Sequence, residues 1–175
     1  MIIRKATEND IDAVEKLYDE IHTAEEANRQ TIGWIRGVYP VRDTAQKALN
    51  REDLFVLEDN GDIYGTGIIN NIQVDSYSLG SWKHAVSDDK VCVLHTLVIS
   101  PASAGKGYGR RFLEFYENYA LEHGCVELRI DTNAKNEVAR AMYKRHGYME
   151  IGIIPTTFNG IEGVNLVLLE KYLGK

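Results

Sequence analysis

The feature that most constrains this chain is the run from Val91 to Gly124, which reads VCVLHTLVIS, then PASAGKGYG, then RRFLEFYENYALEHG. The first piece is apolar, rich in β-branched residues and far too short for a membrane span, which predicts a buried strand. Pro101 ends it, since proline donates nothing to a continuing ladder. Gly105, Gly107 and Gly109 alternate through a tight loop. Tyr108, Phe112, Phe115 and Tyr119 then recur at helical spacing until Gly124 stops the helix. A strand, a glycine loop and a helix whose first turn leaves that loop together form an anion site. Several backbone N–H groups converge, the helix dipole adds positive potential, and glycine admits a ligand close to the backbone. Lys106, Arg110 and Arg111 gather at this turn in a chain of net charge -6. The pattern predicts a phosphate-bearing ligand, although on the loop alone a plain structural turn fits equally well. The P-loop spacing G-x-x-x-x-G-K-[ST] is absent. So is a strict G-x-G-x-x-G behind the first strand of a dinucleotide fold.

A length of 175 residues suits a single domain over the whole chain, with a core of its own. Hydrophobic content of 44% and charged content of 26% place it among soluble globular proteins. No apolar run reaches membrane length, and MIIRKATEND is no signal peptide, so a cytoplasmic protein is expected. Cys92 and Cys125 form neither a disulfide framework nor a metal pattern, and no metal is expected. The acidic balance argues against nucleic acid as a partner.

Ile2 and Ile3 open a short strand. Thr7 and Asp10 read as a capping box before a helix whose inner face is Ile11, Val14, Leu17, Tyr18 and Ile21. GWIRGVYPVRD follows, too apolar for a solvent loop. It is either a lid of aromatics over the core or a substrate wall of Trp34 and Tyr39, with Arg36 or Arg42 meeting an anionic group. Asp43 is the expected cap of a short helix to Leu49, with Gln46 at the capping-box position. Leu54–Glu58 and Ile63–Ile69 form a hairpin around Asn60-Gly61. Asn70–Lys90 is weakly patterned, and places neither Tyr77 nor Trp82. Val126–Ile130 alternates as a strand. Asp131-Thr-Asn133 reads as the turn into a helix from Asn136 to His146. His123-Gly124 and His146-Gly147 are helix stops, which removes both histidines from the catalytic candidates. Met149–Ile153 and Val164–Leu169 close the chain around Asn159-Gly160. The order β-α-α-β-β-β-α-β-α-β-β predicts an α+β sandwich, a mixed sheet flanked by helices.

Two motifs in register make the pattern specific. AGKGYG resembles the pyrophosphate loop of the GNAT superfamily of acyl-CoA-dependent N-acyltransferases, [Arg/Gln]-x-x-Gly-x-[Gly/Ala]. It departs from the pattern at Ala104, where Lys106 or Arg110 would have to replace the missing anchor. One strand later, Asn133–Tyr148 resembles the family's N-x-x-A-x-x-[L/M]-Y-x-x-x-G-[F/Y] segment. The resemblance covers essentially the whole chain and implies the family's mostly antiparallel sheet. It implies acetyl-CoA as acyl donor, held by Gly105, Lys106, Gly107, Tyr108, Gly109, Arg110 and Asn136. By position, the backbone amides of Leu97, Val98 and Ile99 would polarise the thioester. Tyr143 matches the tyrosine that protonates the leaving thiolate. Many members carry a carboxylate where His95 stands. An imidazole of ordinary pKa near 6.5 on a face shared with Val93, Leu97 and Ile99 suits a general base, and a buried core histidine suits the position equally. The expected reaction is acetyl transfer to a primary amine of unidentified origin. A non-catalytic acyl-CoA-binding or regulatory domain is the alternative. A homodimer, the commonest soluble assembly, stays open.

Overall fold

A computed structural model describes residues 1–174. The chain runs β1 (Ile2–Lys5), α1 (Ile11–Glu26), α2 (Arg42–Asn50), β2 (Leu54–Asp59), β3 (Asp62–Asn70), β4 (Val91–Ile99), α3 (Tyr108–Glu122), β5 (Glu127–Asn133), α4 (Glu137–Arg145), β6 (Met149–Phe158) and β7 (Ile161–Tyr172). This is the expected order of elements. Among the described residues the strands form a single sheet, β1-β2-β3-β4-β5-β7-β6, in which only β4 and β5 pair parallel.

Each element has a local cause. Asn60 and Gly61 take φ of 52° and 89°, the left-handed pair that a tight hairpin turn requires. Asn159 and Gly160 do the same between β6 and β7, which makes that hairpin much longer than Met149–Ile153 and Val164–Leu169. The Thr7–Asp10 cap is present: the Asp10 carboxylate accepts from Thr7 N at 2.7 Å and is also gripped by Arg4. The α2 cap differs from expectation. Val41 precedes the helix and its N–H donates to Thr44 Oγ1 at 3.1 Å. Asp43 lies inside the first turn, and Gln46 reaches Glu8 and Asn50 instead.

The sheet has two dressed faces. Cys92, Leu94, Leu128, Ile130, Val167 and Leu169 pack under Phe112, Leu113, Tyr116 and Tyr143 of α3 and α4. Leu54, Val56, Ile68 and Val98 pack under Ile11, Val14, Leu17, Tyr18 and Ile21 of α1. Beside the α1 patch, Val91, Val93, Leu166 and Leu168 are covered by Tyr77 and Trp82 of the Asn71–Lys90 connection.

Strand β4 is the axis of the site because it is irregular. Thr96 and Leu97 oppose the single residue Gly67 of β3, a bulge that holds Thr96 at φ 49°. Positive φ is costly for a β-branched residue and persists only where the surroundings enforce it. The bulge reverses which side chains face which layer. Leu94 points to α3, His95 to the other face, Leu97 back to α3, and Val98 to α1. His95 therefore does not share a face with Leu97 and Ile99, contrary to simple alternation.

Candidate active site

Strands β4 and β5 pair only from Val91↔Glu127 to Leu94↔Ile130, although β4 continues to Ile99 and β5 to Asn133. The closed end is pinned by the buried Tyr116 hydroxyl, which donates to Cys92 O at 2.6 Å. Beyond it the strands diverge into a cleft of about 880 Å³. The cleft runs from the glycine loop, past both diverging strands, to the segment that carries Trp34 and Tyr39. Ser100 N donates to Tyr64 O of β3 at 2.9 Å, so by alternation the Val98 amide faces β3 as well. The amides of Leu97 and Ile99 are left facing the cleft. Of the three amides expected there, Val98's is turned into the sheet.

The glycine loop behaves as its composition dictates. Gly105 and Gly107 take φ of 81° and 79°, where an added Cβ would meet no neighbour, so backbone conformation rather than space requires glycine. Gly109 is different: its Cβ would lie 2.9 Å from Met142 Sδ, so α3 and α4 close together there. Arg111 N makes the first α3 bond, to Gly107 O at 3.0 Å. The amides of Tyr108, Gly109 and Arg110 precede it and are the donors that a helix N-terminus offers an anion. The basic side chains contribute less than expected. The Lys106 ammonium lies 5.4 Å from the centre of the Tyr64 ring and near Tyr108, off the cleft wall. Arg110 lines the cleft but is tied to Glu114 at 2.7 Å. Arg145, not anticipated, lines it from α4.

Asn136 caps α4, its Oδ1 accepting from Ala139 N at 3.2 Å, and also lines the cleft. Tyr143, one α-helical layer deeper, reaches the cleft while only 5% exposed. Burial, and after it the charge of Asp131, drives its phenol well above the ordinary tyrosine range. It is thus a firmly protonated group and a weaker acid than a free phenol.

His95 lines the cleft, but its environment contradicts an ordinary imidazole. Asn70 Nδ2 donates to Asp53 at 2.8 Å, which leaves Asn70 Oδ1 to accept from His95 Nε2 at 3.0 Å. Burial drives the ring down to about 4, so His95 is neutral across the physiological range and a feeble proton acceptor. The group that sequence reading missed is Asp131. It stands on β5 one residue past the last β4 pair, level with His95, because β5 runs to Asn133 where a turn was expected. Tyr77 Oη donates to its Oδ2 at 2.8 Å. Burial, only partly offset by that bond, raises the Asp131 carboxyl to about 6. A visible signal existed: Glu127, Arg129 and Asp131 form a period-two row of charge on a strand that must be buried.

The segment after α1 divides. Trp34 and Tyr39 line the cleft, in edge contact at 5.8 Å, and the Tyr39 hydroxyl bonds Thr96 Oγ1 at the bulge. Glu25 holds this segment by accepting from Ile32 N and Gly33 N at 2.6 and 2.8 Å. Arg36 is not part of the site. It is bound outward to Asp19, Glu26 and Thr23 on α1, a strut that leaves nothing for an anionic substrate. Arg42 is likewise engaged, by Asp12 and Glu15.

A seven-stranded sheet opened between parallel strands, with a glycine loop at the mouth of the opening, defines an acetyltransferase type of fold. The acetyltransferase (GNAT) family model matches residues 12–148, and the chain belongs to that family. Among solved structures, a GNAT-family acetyltransferase from Streptococcus agalactiae superposes with TM-score 0.82 at 24% identity, over 99% of this chain and 96% of that one. The Salmonella typhimurium protein yncA, solved with acetyl-CoA as its cofactor, superposes with TM-score 0.71 at 17% identity, over 99% and 94%. In sequence, the chain is 33% identical over 66 residues to the uncharacterized N-acetyltransferase YhfO of Bacillus subtilis. That stretch is 38% of this chain and 44% of YhfO, so the match spans less than half of the relative.

Proposed function

We propose that the protein is an N-acetyltransferase that moves an acetyl group from acetyl-CoA to a primary amine. The observation that carries this reading is the divergence of β4 from β5 after Leu94, directly beside the free amides at the start of α3. Acetyl-CoA, the acyl donor, supplies an activated thioester. The amides of Tyr108, Gly109 and Arg110 bind its pyrophosphate, and those of Leu97 and Ile99 donate to the thioester oxygen as negative charge develops on it.

Two side chains then carry the protons. Asp131, with a carboxyl near 6, is mostly ionised at neutral pH and basic enough to take the proton of an incoming ammonium. It replaces His95 as the proposed base, and Tyr77 fixes its orientation. Tyr143, kept protonated by burial, gives its proton to the departing thiolate. Its elevated pKa makes that step costlier than for a free phenol, an uphill transfer whose cost is least once full negative charge has formed on the departing sulfur. His95 holds the strand in register through Asn70 and Asp53. The acceptor enters beside Trp34, Tyr39 and Phe158, an aromatic wall with the carboxylate of Asp131 at its base, while Glu114, the other carboxylate of the cleft, is paired with Arg110. That combination suits a cationic amine with an apolar body.

The test is release of free CoA thiol from acetyl-CoA against a panel of primary amines, with calorimetry of acetyl-CoA alone. Binding with turnover on at least one amine supports the proposal. Binding without turnover on any amine assigns a coenzyme-binding domain instead, and absence of binding at millimolar acetyl-CoA refutes both.

A further inference from the structure

The far end of β5 carries a second cluster of chemistry-bearing groups that the acyl-transfer site does not use. Glu127 and Glu170 project from one face of the adjacent strands β5 and β7, where Glu127 pairs with Tyr172 and Arg129 with Glu170. Both carboxylates are completely buried, at 0% exposure. His84, in the Asn71–Lys90 connection, lies over them with its ring stacked on Tyr172 at 4.2 Å. With both carboxylates ionised, the single guanidinium of Arg129 leaves this pocket one positive charge short in the interior of the protein. Burying charge without compensation is strongly unfavourable.

The geometry shows what is needed. His84 Nδ1 lies 3.6 Å from Glu127 Oε2 and 3.9 Å from Glu170 Oε1. Both distances are too long for hydrogen bonds. Indeed His84 Nδ1 and both Glu127 oxygens are buried with no hydrogen-bond partner. Yet one donor atom from each of the three residues falls within 4.8 Å of the others. Around a zinc ion with bonds of about 2.1 Å, tetrahedral ligand atoms stand about 3.4 Å apart, so small side-chain shifts close the set. The outer groups are placed as such a site requires. Lys83 N is shared by the two Glu170 oxygens, at 3.0 Å from Oε2 and 3.3 Å from Oε1, and Arg129 Nε lies 3.8 Å from Glu127 Oε1, so the Glu127 Oε2 edge is open to the centre and Glu170 Oε1 holds only the longer arm of one amide. The Arg129 guanidinium is itself held over the Trp82 ring at 3.9 Å.

We propose that His84 Nδ1, Glu127 Oε2 and Glu170 Oε1 bind one zinc-type divalent cation, with the fourth position open to water. One imidazole and two carboxylates select zinc and its first-row neighbours over calcium or magnesium, which take oxygen-only shells. The ion clips the Asn71–Lys90 connection to the sheet. That connection also brings Tyr77 to Asp131 and Val74 to the cleft wall. The site is thus structural, and its occupancy stiffens the wall of the acceptor pocket.

The competing occupant is a proton shared by the two glutamates. Chelator-treated full-length protein is titrated with Zn²⁺ by calorimetry, and with Co²⁺ by visible absorption. The expected result is one ion per chain and a cobalt spectrum of nitrogen and oxygen ligands without thiolate charge transfer. Glu127→Gln, which keeps shape, and His84→Gln, at a half-exposed position, should each weaken binding by about 100-fold or more. The proposal is overturned if micromolar zinc does not bind, if either variant binds as tightly as the parent, or if cobalt reports cysteine ligation. Glu127→Gln that is more stable than the chelator-treated parent, with no zinc response in either, assigns the shared proton.

Discussion

Asp131→Asn should make this protein more stable and much less active, and the size of the first effect follows from the structure. Burial raises the Asp131 carboxyl from 3.8 to about 6. The folded state therefore holds this proton more tightly than the unfolded chain does. Stability from this group is greatest below pH 4, declines as the pH rises from about 4 to about 6, and stays at its lower level above that. At about 1.4 kcal/mol per tenfold change in proton affinity, the ionised carboxylate costs at most about 3 kcal/mol. Asp131 keeps some contact with cleft water, which screens the charge, so about 2 kcal/mol is the working figure. The asparagine never ionises, and its amide oxygen can still accept from Tyr77. Thermal unfolding at pH 7.5 should therefore show the variant melting about 4–8 °C above the parent, with the two coinciding at pH 4. In the same variant kcat/KM should fall by about 100-fold or more, and the acidic limb near pH 6 should disappear from its profile. A variant no more stable than the parent at pH 7.5, or a gap that does not change with pH, would refute the buried-base reasoning even if activity were lost.

The other substitutions divide the work of the site. Tyr143→Phe keeps the ring and its edge contact with Tyr148; acetyl-CoA binding measured by calorimetry should be unchanged while kcat falls by about 100-fold. His95→Gln should leave the acidic limb in place and change kcat by less than tenfold, because a ring held near 4 is already neutral; loss of that limb would return the base to His95. Gly107→Val meets no neighbour through its Cβ, so its cost is the left-handed backbone at φ 79°, about 1–2 kcal/mol. A melting curve should show a folded protein, and calorimetry a markedly weaker hold on acetyl-CoA.

What could be read from the chain, and what could not, follows from the range of the interactions involved. The strand–loop–helix unit was legible because glycine at 105 and 107 answers a local backbone demand, and the hairpins because Asn-Gly does the same. Asn136 was legible as the start of a helix for a similar reason, and it caps α4. The fate of His95 was not. It depends on a one-residue slip at Thr96 opposite Gly67, and β4 itself contains no glycine or proline to mark it. Arg36 looked available because its partners Asp19 and Glu26 lie on another element. Asp131 was hidden by Asp-Thr-Asn, which reads as a turn by propensity, while the sheet pairing of Asp131 with Leu168 and Thr132 with Val167 overrides that preference. His84, Glu127 and Glu170 come from three separated segments, and only the β5–β7 register joins them. Local chemistry was written in the sequence, and long-range pairing was not.

The central claim, that the opening between β4 and β5 holds acetyl-CoA against backbone amides, is tested most directly by amide hydrogen exchange with and without the coenzyme. Residue-resolved exchange should slow at Leu97 and Ile99 and across Tyr108, Gly109 and Arg110. Val98, already facing β3, should change little. Coenzyme binding that leaves those five amides exchanging as before would contradict the account.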